Sequence, residues 1–196
     1  GRIFGCLREN DLFKNTWVIF TADHGEMLGD HHMSQKNLFF EGSAHVPLLI
    51  MPPQGRSLPQ NISVEAPTDL VDLYPTILAM AGLSSPVSVS GKNLLEPVPM
   101  DRIFFGNSLN RNFCVMEEKL KLVYSAVGDH VLLFDLNTDP MEQHNLAEDP
   151  AWQERKAKLW KLLLEHTAQY TPEALGENGQ FLTYEAPHFP GDVPGR

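Results

Sequence analysis

The sequence has few cysteines, few basic residues and no long apolar run. Two cysteines, Cys6 and Cys114, are too few for a disulfide framework, and we expect both thiols to be buried and unpaired. No apolar stretch approaches the roughly 20 residues that a helix needs to cross a membrane, so we expect no membrane span. Fifteen basic residues against 25 acidic ones leave a net charge of -10, which disfavours nucleic acid and anionic membranes as partners.

A chain of 196 residues, 42% of them hydrophobic, is long enough to bury a core. Its most informative stretch runs from residue 17 to residue 50. There an apolar run, Trp17–Thr21, leads to Asp23-His24-Gly25, and Lys36 follows twelve residues after the histidine. The run predicts a β-strand that is buried on both faces, and strands of that kind present functional groups at their carboxyl ends.

The residue types at this strand end suit a metal site that binds an anion. A hard carboxylate oxygen beside an imidazole nitrogen suits a divalent cation, and a nearby ammonium can hold an anion that the metal also binds. Taken alone, an Asp-His pair is more often a helix cap beside a surface histidine, and a lysine is more often a solvated side chain. The preceding strand and the spacing favour the metal site, with an oxyanion ester as the substrate.

Sequence blocks along most of the chain follow the order of one known family. TADHGEMLGDH, Lys36, FFE and HVPLLI are followed by APTDLVDLYPTILAMAGL and SGKNLL. Further on come KLKLVYS and LLFDLNTDPMEQHNLAEDPAWQERKAKLWKLL. The first group resembles the second metal-binding segment of the type I sulfatases, within the alkaline-phosphatase-like superfamily. The later blocks resemble that family's next helix and turn, its C-terminal strand pair and its last helix.

The resemblance implies roles for four residues. Asp23 and His24 match metal-binding positions of the family, and Lys36 matches the lysine that contacts the sulfate. The position of His24 is Asn or His in the family, and an imidazole can either ligate the metal or hydrogen-bond the esterified oxygen. His31 matches a substrate-facing position. Calcium is the family's usual ion, while the imidazole leaves Mn²⁺ or another transition ion open.

Part of the family's machinery has no counterpart in this sequence. The nucleophile of the type I sulfatases is a formylglycine matured from the Cys or Ser of a C/S-x-P-x-R motif, and it lies upstream with two further aspartate ligands. Neither Cys6 nor Cys114 has the motif's proline two residues later and its arginine four residues later. We therefore expect the C-terminal portion of a sulfatase, inactive by itself. Its expected partners are the missing N-terminal half and a sulfated small molecule or carbohydrate.

The predicted fold class is α/β, the end of an alkaline-phosphatase-like α/β sandwich followed by a small antiparallel sheet and a C-terminal helix. Four ranges follow from it. They are 1–85, the C-terminal part of the catalytic domain with the second metal-binding segment; 86–100, a connection; 101–168, the sheet and helix subdomain; and 169–196, a Pro/Gly-rich tail that forms an extended strap or is disordered.

Apolar periodicity and end signals predict the individual elements. The first range should hold a helix over Arg2–Leu12, strands over Trp17–Thr21 and Pro47–Met51, and a helix over Asp69–Ala81 that Thr68 caps, Pro75 interrupts and Gly82 ends. The subdomain should hold strands over 103–107, 113–116, 119–125 and 131–135 and an amphipathic helix over 150–166.

Three functions remain open at this stage. The leading one is hydrolysis of sulfate esters, and the second is hydrolysis of phosphonate monoesters or phosphodiesters by an enzyme of the same superfamily. The third is a non-catalytic module that only packs against a partner chain. The compartment also remains open, since periplasmic, secreted and cytoplasmic locations all agree with the sequence.

Overall fold

The computed structural model describes residues 1–36, 38–56, 63–86 and 88–186. The chain divides into two compact units. The first unit comprises Gly1–Gly25 with His45–Met100, and the second comprises Glu26–Ala44 with the residues from Asp101 onward. The segment 26–44, which carries His31 and Lys36, therefore groups with the C-terminal residues, whereas the sequence placed it within 1–85. That range and the other three remain predictions for the complete protein.

The helices and strands follow in this order along the chain. The α-helices are α1 (Arg2–Glu9), α2 (Glu41–Ala44), α3 (Leu73–Met80) and α4 (Gln153–Tyr170). The strands are β1 (Val18–Thr21), β2 (Leu48–Met51), β3 (Phe104–Ser108), β4 (Asn112–Glu117), β5 (Leu120–Ser125) and β6 (His130–Asp135). Within the described parts of the chain, no helix is both long and apolar enough to cross a membrane.

The strand that leads to Asp23 is less buried than predicted. β1 pairs with β2 in an antiparallel ladder in which Ile19 lies opposite Ile50 and Phe20 lies opposite Leu49. The exposed fractions of Phe20 and Leu49 are 62% and 59%, so the prediction of a strand buried on both faces is wrong for this chain. A strand is buried on both faces only where other layers cover both sides of its sheet, and in the described residues the face that carries Phe20 and Leu49 is largely uncovered.

This exposed apolar pair leads to a prediction about the isolated chain. We expect the 196-residue chain to bind a hydrophobic dye and to self-associate, because paired apolar side chains on a short open sheet remain in water. The measurement is dye fluorescence with light scattering. The variant Phe20→Ser with Leu49→Ser should reduce both signals, and a wild-type chain that is monomeric and silent towards the dye would contradict the prediction.

The start of α3 differs from the predicted cap. A 3₁₀ turn over Leu70–Asp72 precedes the α-helix, and its N-cap residue is Asp69 rather than Thr68. The carboxylate of Asp72 accepts a hydrogen bond of 2.8 Å from the Asp69 amide. An acidic side chain three positions into a helix can satisfy such an amide, which explains why the 3₁₀ turn begins one residue later than a threonine cap would place the helix.

Pro75 does not break α3. It lies in the first turn of that helix, where the missing N–H would have had no acceptor within the helix, so the proline is tolerated there. Gly82 has a φ of +73° just after the helix end. That left-handed conformation suits glycine and ends the helix at the predicted place.

The second unit is built on the predicted antiparallel sheet. Its four strands are ordered β3-β4-β5-β6, each paired antiparallel with the next, and α4 packs against β4 and β5. The inward side chains form one apolar core because period-2 patterning in the strands matches the apolar face of the helix. The fully buried large members of this core are Phe113, Val115, Leu120, Leu122, Tyr124, Leu133, Leu159 and Leu163.

Part of the segment after α4 packs onto this core. Phe181 is 7% exposed, and its ring centroid lies 4.5 Å from that of Phe113 and 4.7 Å from that of Tyr124. Val127 and Tyr184 form an isolated parallel bridge. The range predicted as a tail begins within α4 and includes a 3₁₀ turn over Pro172–Ala174, so its described part is not a purely extended strap; residues 187–196 lie outside the described residues.

The two thiols differ in environment, which corrects the expectation that both are buried. Cys6 lies exposed on α1, whereas Cys114 is buried on β4. Burial raises the pKa of the Cys114 thiol to about 12, and the neighbouring ammonium of Lys121 only partly opposes that rise. Cys114 is therefore a protonated, unreactive thiol at neutral pH.

His166 on α4 makes the stability of the second unit depend on pH. Its imidazole stacks on Phe105 with centroids 3.9 Å apart and an interplanar angle of 2°, and burial lowers its pKa. Since the folded state disfavours the imidazolium, the unfolded chain takes up the proton first as the pH falls through about 6.5. We therefore expect the free energy of unfolding to decrease below that pH.

The measurement is urea unfolding at pH 7.5 and pH 5.5, with His166→Phe as the comparison. The phenylalanine keeps the stacking and removes the titration, so the variant should lose less stability on acidification than the wild type. Other groups titrate in both proteins, so their contributions cancel when the loss of stability of the variant is compared with that of the wild type. Equal losses in both proteins would contradict a depressed His166 pKa.

Candidate functional site

Asp23 and His24 lie just beyond the carboxyl end of β1. The Asp23 side chain is 88% exposed, and its Oδ1 accepts a hydrogen bond of 3.1 Å from the His24 amide. The other carboxylate oxygen, Oδ2, lies 3.4 Å from His24 Nε2. The remaining ring nitrogen, Nδ1, lies 2.8 Å from the carbonyl oxygen of Gly25. The short strand therefore presents a carboxylate and an imidazole side by side, as the sequence predicted.

This geometry is suitable for two ligands of one cation. A carbonyl can only accept, so Nδ1 carries a proton and donates it to Gly25, and in the neutral form of the ring the lone pair is on Nε2, on the side of the carboxylate. Histidine ligands of metals commonly donate their other N–H to a carbonyl in this way. Two donors bound at about 2.1–2.4 Å to one ion lie about 3–3.4 Å apart when they occupy neighbouring positions. The observed separation of 3.4 Å agrees with that value.

The pair does not make a complete site by itself. Among residues 1–36, 38–56, 63–86 and 88–186, no group of three or more His, Cys, Asp or Glu side chains could hold a metal ion. A calcium ion takes about six to eight oxygen ligands, and even zinc takes about four ligands. A tight site at Asp23 and His24 therefore needs ligands beyond those in the described residues.

The second unit carries the other two predicted site residues on the segment 26–44. This segment folds back on itself: the Met27 amide donates to the carbonyl of Gln35 over 3.0 Å, and the Gly29 amide donates to that of Met33 over 2.9 Å. Gly29 has a φ of +104°, a conformation that favours glycine at the turn. Lys36 follows directly after this closed loop.

His31 lies within the turn of that loop. Its φ is +52°, and its ring stacks on Phe40 with centroids 4.2 Å apart and an interplanar angle of 15°. Phe40 is 6% exposed, so one face of the imidazole rests on the buried part of the segment. The stacking orients the ring, and the substrate-facing role of His31 remains a prediction.

Lys36 is an exposed residue whose backbone is tied to α2. Its carbonyl oxygen accepts a hydrogen bond of 3.0 Å from the hydroxyl of Ser43, which is 4% exposed. Asp23 and His24 belong to the first unit, and His31 and Lys36 belong to the second. The structure thus brings Asp23 and His24 together, places His31 and Lys36 in one segment of the second unit, and leaves the four roles as predictions.

Comparison with known proteins identifies the family. The family model described as Sulfatase matches residues 1–83. Arylsulfatase K of Xenopus laevis is 34% identical over 167 residues, which cover 75% of this chain and 31% of that relative. This chain belongs to the sulfatase family. The sulfatase chain spans about a third of the length of the curated relatives it matches.

Solved structures share the fold of this sulfatase chain. The phosphonate monoester hydrolase of Agrobacterium radiobacter is 31% identical, with a TM-score of 0.69 over 91% of this chain and 41% of that one. A protein solved in complex with its substrate D-glucosamine-2-N,6-O-disulfate is 23% identical, with a TM-score of 0.68 over 88% of this chain and 38% of that one. The predicted fold class is confirmed.

One charged cluster of the sulfatase chain is absent from the sequence-based predictions; it consists of Lys121 on β5, Glu41 at the start of α2, and Glu142. The side chains of Lys121 and Glu142 are 3% and 2% exposed. Lys121 could have been recognised in the sequence as unusual, because it is a charged residue inside a predicted strand and both of its neighbours in the chain are apolar. Its partners could not be identified from the sequence, since they lie far away along the chain.

Proposed function

We propose that this chain supplies the metal-binding and sulfate-contacting segments of an enzyme that hydrolyses sulfate esters. Family membership supports the reaction class. The observation that carries the proposal is the Asp23–His24 pair, whose Oδ2 and Nε2 lie 3.4 Å apart beyond β1 with the tautomer set by Gly25. Ligands of this kind suit a divalent cation.

The proposed role of Asp23 and His24 is to hold that cation. The sulfatase family implies a divalent metal and a formylglycine nucleophile in general. When bound, the metal polarises the sulfate oxygens. We propose Ca²⁺, because the carboxylate is a hard oxygen ligand, while the imidazole makes Mn²⁺ or another transition ion the alternative. The Nδ1 contact with the Gly25 carbonyl keeps the Nε2 lone pair directed towards the carboxylate side.

The proposed role of Lys36 is to contact the sulfate and neutralise charge that develops on the sulfuryl group or near the leaving oxygen. An ammonium is suited to this task because it is a compact point charge with three donors. We propose that His31 faces the substrate, with its ring held by Phe40. Neither residue acts as the nucleophile in this proposal.

The nucleophile and the remaining metal ligands come, in this proposal, from further residues of a longer protein. Neither Cys6 nor Cys114 stands in a C-x-P-x-R motif. Cys114 is buried as well, with a pKa of about 12. The chain spans about a third of its curated relatives, which leaves ample length for those parts. We therefore expect the isolated chain to be inactive.

We propose a sulfated small molecule or carbohydrate as the substrate. The support comes from the similar protein that was solved with D-glucosamine-2-N,6-O-disulfate as its substrate. A second candidate function, hydrolysis of phosphonate monoesters, is favoured by one specific observation: the phosphonate monoester hydrolase of Agrobacterium radiobacter is 31% identical and matches 91% of this chain.

The test compares two chromogenic substrates with the full-length protein that contains this chain. Initial rates are measured with p-nitrophenyl sulfate and with p-nitrophenyl phenylphosphonate, each with added Ca²⁺ or Mn²⁺ after chelation. A higher kcat/KM for the sulfate ester supports the proposal, and a higher value for the phosphonate ester assigns the second function. Absence of both activities in a protein that binds metal tightly would reject both.

A further inference from the structure

The buried charged cluster joins the sheet of the second unit to the segment that carries Lys36. The Lys121 ammonium lies 2.6 Å from Glu41 Oε1 and 2.6 Å from Glu142 Oε1. Its contact with Glu41 is a hydrogen bond, whereas its contact with Glu142 Oε1 is an ion pair without a well-aligned hydrogen bond. Glu142 Oε2 in turn accepts a hydrogen bond of 2.7 Å from the Glu41 amide. Glu41 is thereby held through both its side chain and its backbone.

The two carboxylates favour the charged form of Lys121. Burial by itself lowers the pKa of Lys121, but the carboxylates of Glu41 and Glu142 more than offset this effect, and the net change raises the pKa. Buried ion pairs are weak contributors to stability, because apolar side chains of similar volume often serve equally well. Their stronger effect is on position, since each partner accepts only a narrow range of geometries.

A short path of contacts leads from the cluster to Lys36. Glu41 is the first residue of α2, and Ser43 belongs to the same single turn. The Ser43 amide donates to the Phe40 carbonyl over 2.9 Å, and the Ser43 hydroxyl donates to the Lys36 carbonyl over 3.0 Å. The backbone of Lys36 is therefore fastened to the same turn that Lys121 and Glu142 hold.

Apolar packing also stabilises the segment 26–44, but it does not fix the exact position of the segment on the sheet. Met27 and Phe40 are buried against Phe134 of β6. The ring of Phe39 lies over β3, where a Cβ atom on Gly106 would come within 2.5 Å of it. Apolar contacts of this kind are non-directional. The charged cluster is the directional component of the attachment.

We propose that Lys121 and Glu142 are positioning residues for Lys36, which they hold in place through Glu41 and Ser43. This inference rests on the proposed function, in which Lys36 contacts the sulfate. It assigns to the C-terminal sheet a part in the reaction, because displacement of a charge by about 1 Å can cost up to about 10²-fold in rate.

The kinetic test uses Lys121→Met in the full-length protein, assayed with the sulfate ester. We expect kcat to fall by about 10-fold or more while the metal content is unchanged. In a Lys36→Ala background the same substitution should cause no further loss, because it acts through Lys36. Additive losses in the double variant would overturn the proposal, since they would show a general structural effect.

Two companion variants separate positioning from loss of folding. Ser43→Ala removes one oxygen atom from the path and should lower kcat in the same direction without unfolding the protein, even if Lys121→Met folds poorly. Leu163→Ala is the matched control: it opens a cavity in the α4 core, away from the segment, and destabilises by about 2–5 kcal/mol. At temperatures well below its melting point, the control should keep its kcat, and an equal loss there would count against positioning.

Hydrogen exchange tests the positioning itself, independently of activity. In Lys121→Met the amides of Met27, Ser43 and Ala44 should exchange faster, whereas amides of α4 should keep their rates. Unchanged exchange across 26–44 would overturn the proposal. If the full-length protein hydrolyses no sulfate ester, the proposed function fails, and the exchange result still decides whether Lys121 positions the segment.

Discussion

Asp23→Ala in the full-length protein is expected to abolish tight binding of a divalent cation. The substitution removes one of the two ligands that this chain presents beyond β1, and the carboxylate is the one that can carry a negative charge. Changes in groups that merely orient a ligand already cost about 10–100-fold in metal affinity, so loss of a ligand should cost about 10²-fold or more. Turnover should fall with it, because the sulfate oxygens lose their polarising ion.

Metal content per protein molecule, measured by elemental analysis after dialysis, checks this expectation. His24→Asn should be milder, because an amide oxygen can still coordinate or a nearby amide can still donate a hydrogen bond. Asp101→Ala, at another exposed aspartate, is the matched control for loss of one negative charge. An unchanged stoichiometry in Asp23→Ala would remove Asp23 from the site.

Lys36→Ala should lower kcat by roughly 10²-fold or more, because loss of a positioned donor to a developing oxyanion commonly has an effect of this size. The metal content should remain that of the wild type, since Lys36 is not a metal ligand in the proposal. This combination distinguishes Lys36 from Asp23, whose replacement should affect both quantities.

Steady-state kinetics with the sulfate ester measure the effect of Lys36→Ala. Lys36→Arg should recover part of the loss, because the charge is kept while its shape and reach change. The control is Lys161→Ala, which removes a largely exposed lysine paired with Glu165 on α4. Near-normal turnover in Lys36→Ala would exclude this lysine from the reaction.

Much of the second unit could be predicted because its signals are local. Alternating apolar and polar residues locate β3 to β6 to within about two residues, and Pro150 with the apolar stripe after it locates α4. The stop at Gly82 also follows from local chemistry. The N-cap of the 3₁₀ turn before α3 did not, because Thr68 and Asp69 are both good capping residues, and the choice depends on where the carboxylate of Asp72 reaches.

In the candidate site, too, local features could be predicted from the sequence and burial could not. The adjacency of Asp23 and His24 after an apolar run is a property of consecutive residues, so the sequence could identify the pair. The burial of that run could not be predicted from the run itself, because Phe20 is covered only where another layer packs on the sheet. An apolar pattern indicates which side chains are stabilised by burial, but it does not indicate which other part of the protein covers them.

The sequence by itself therefore determined the positions of the four strands in the antiparallel sheet, the terminal helix, the family and the candidate residues Asp23, His24 and Lys36. Only the tertiary structure decided that the segment 26–44 belongs with the C-terminal residues and that Lys121 meets Glu41 across 80 positions. Glu142 reaches the Glu41 amide across 101 positions. Local periodicity carries no information about partners so far apart, because loop closure over such distances depends on how the complete sheet and its core assemble.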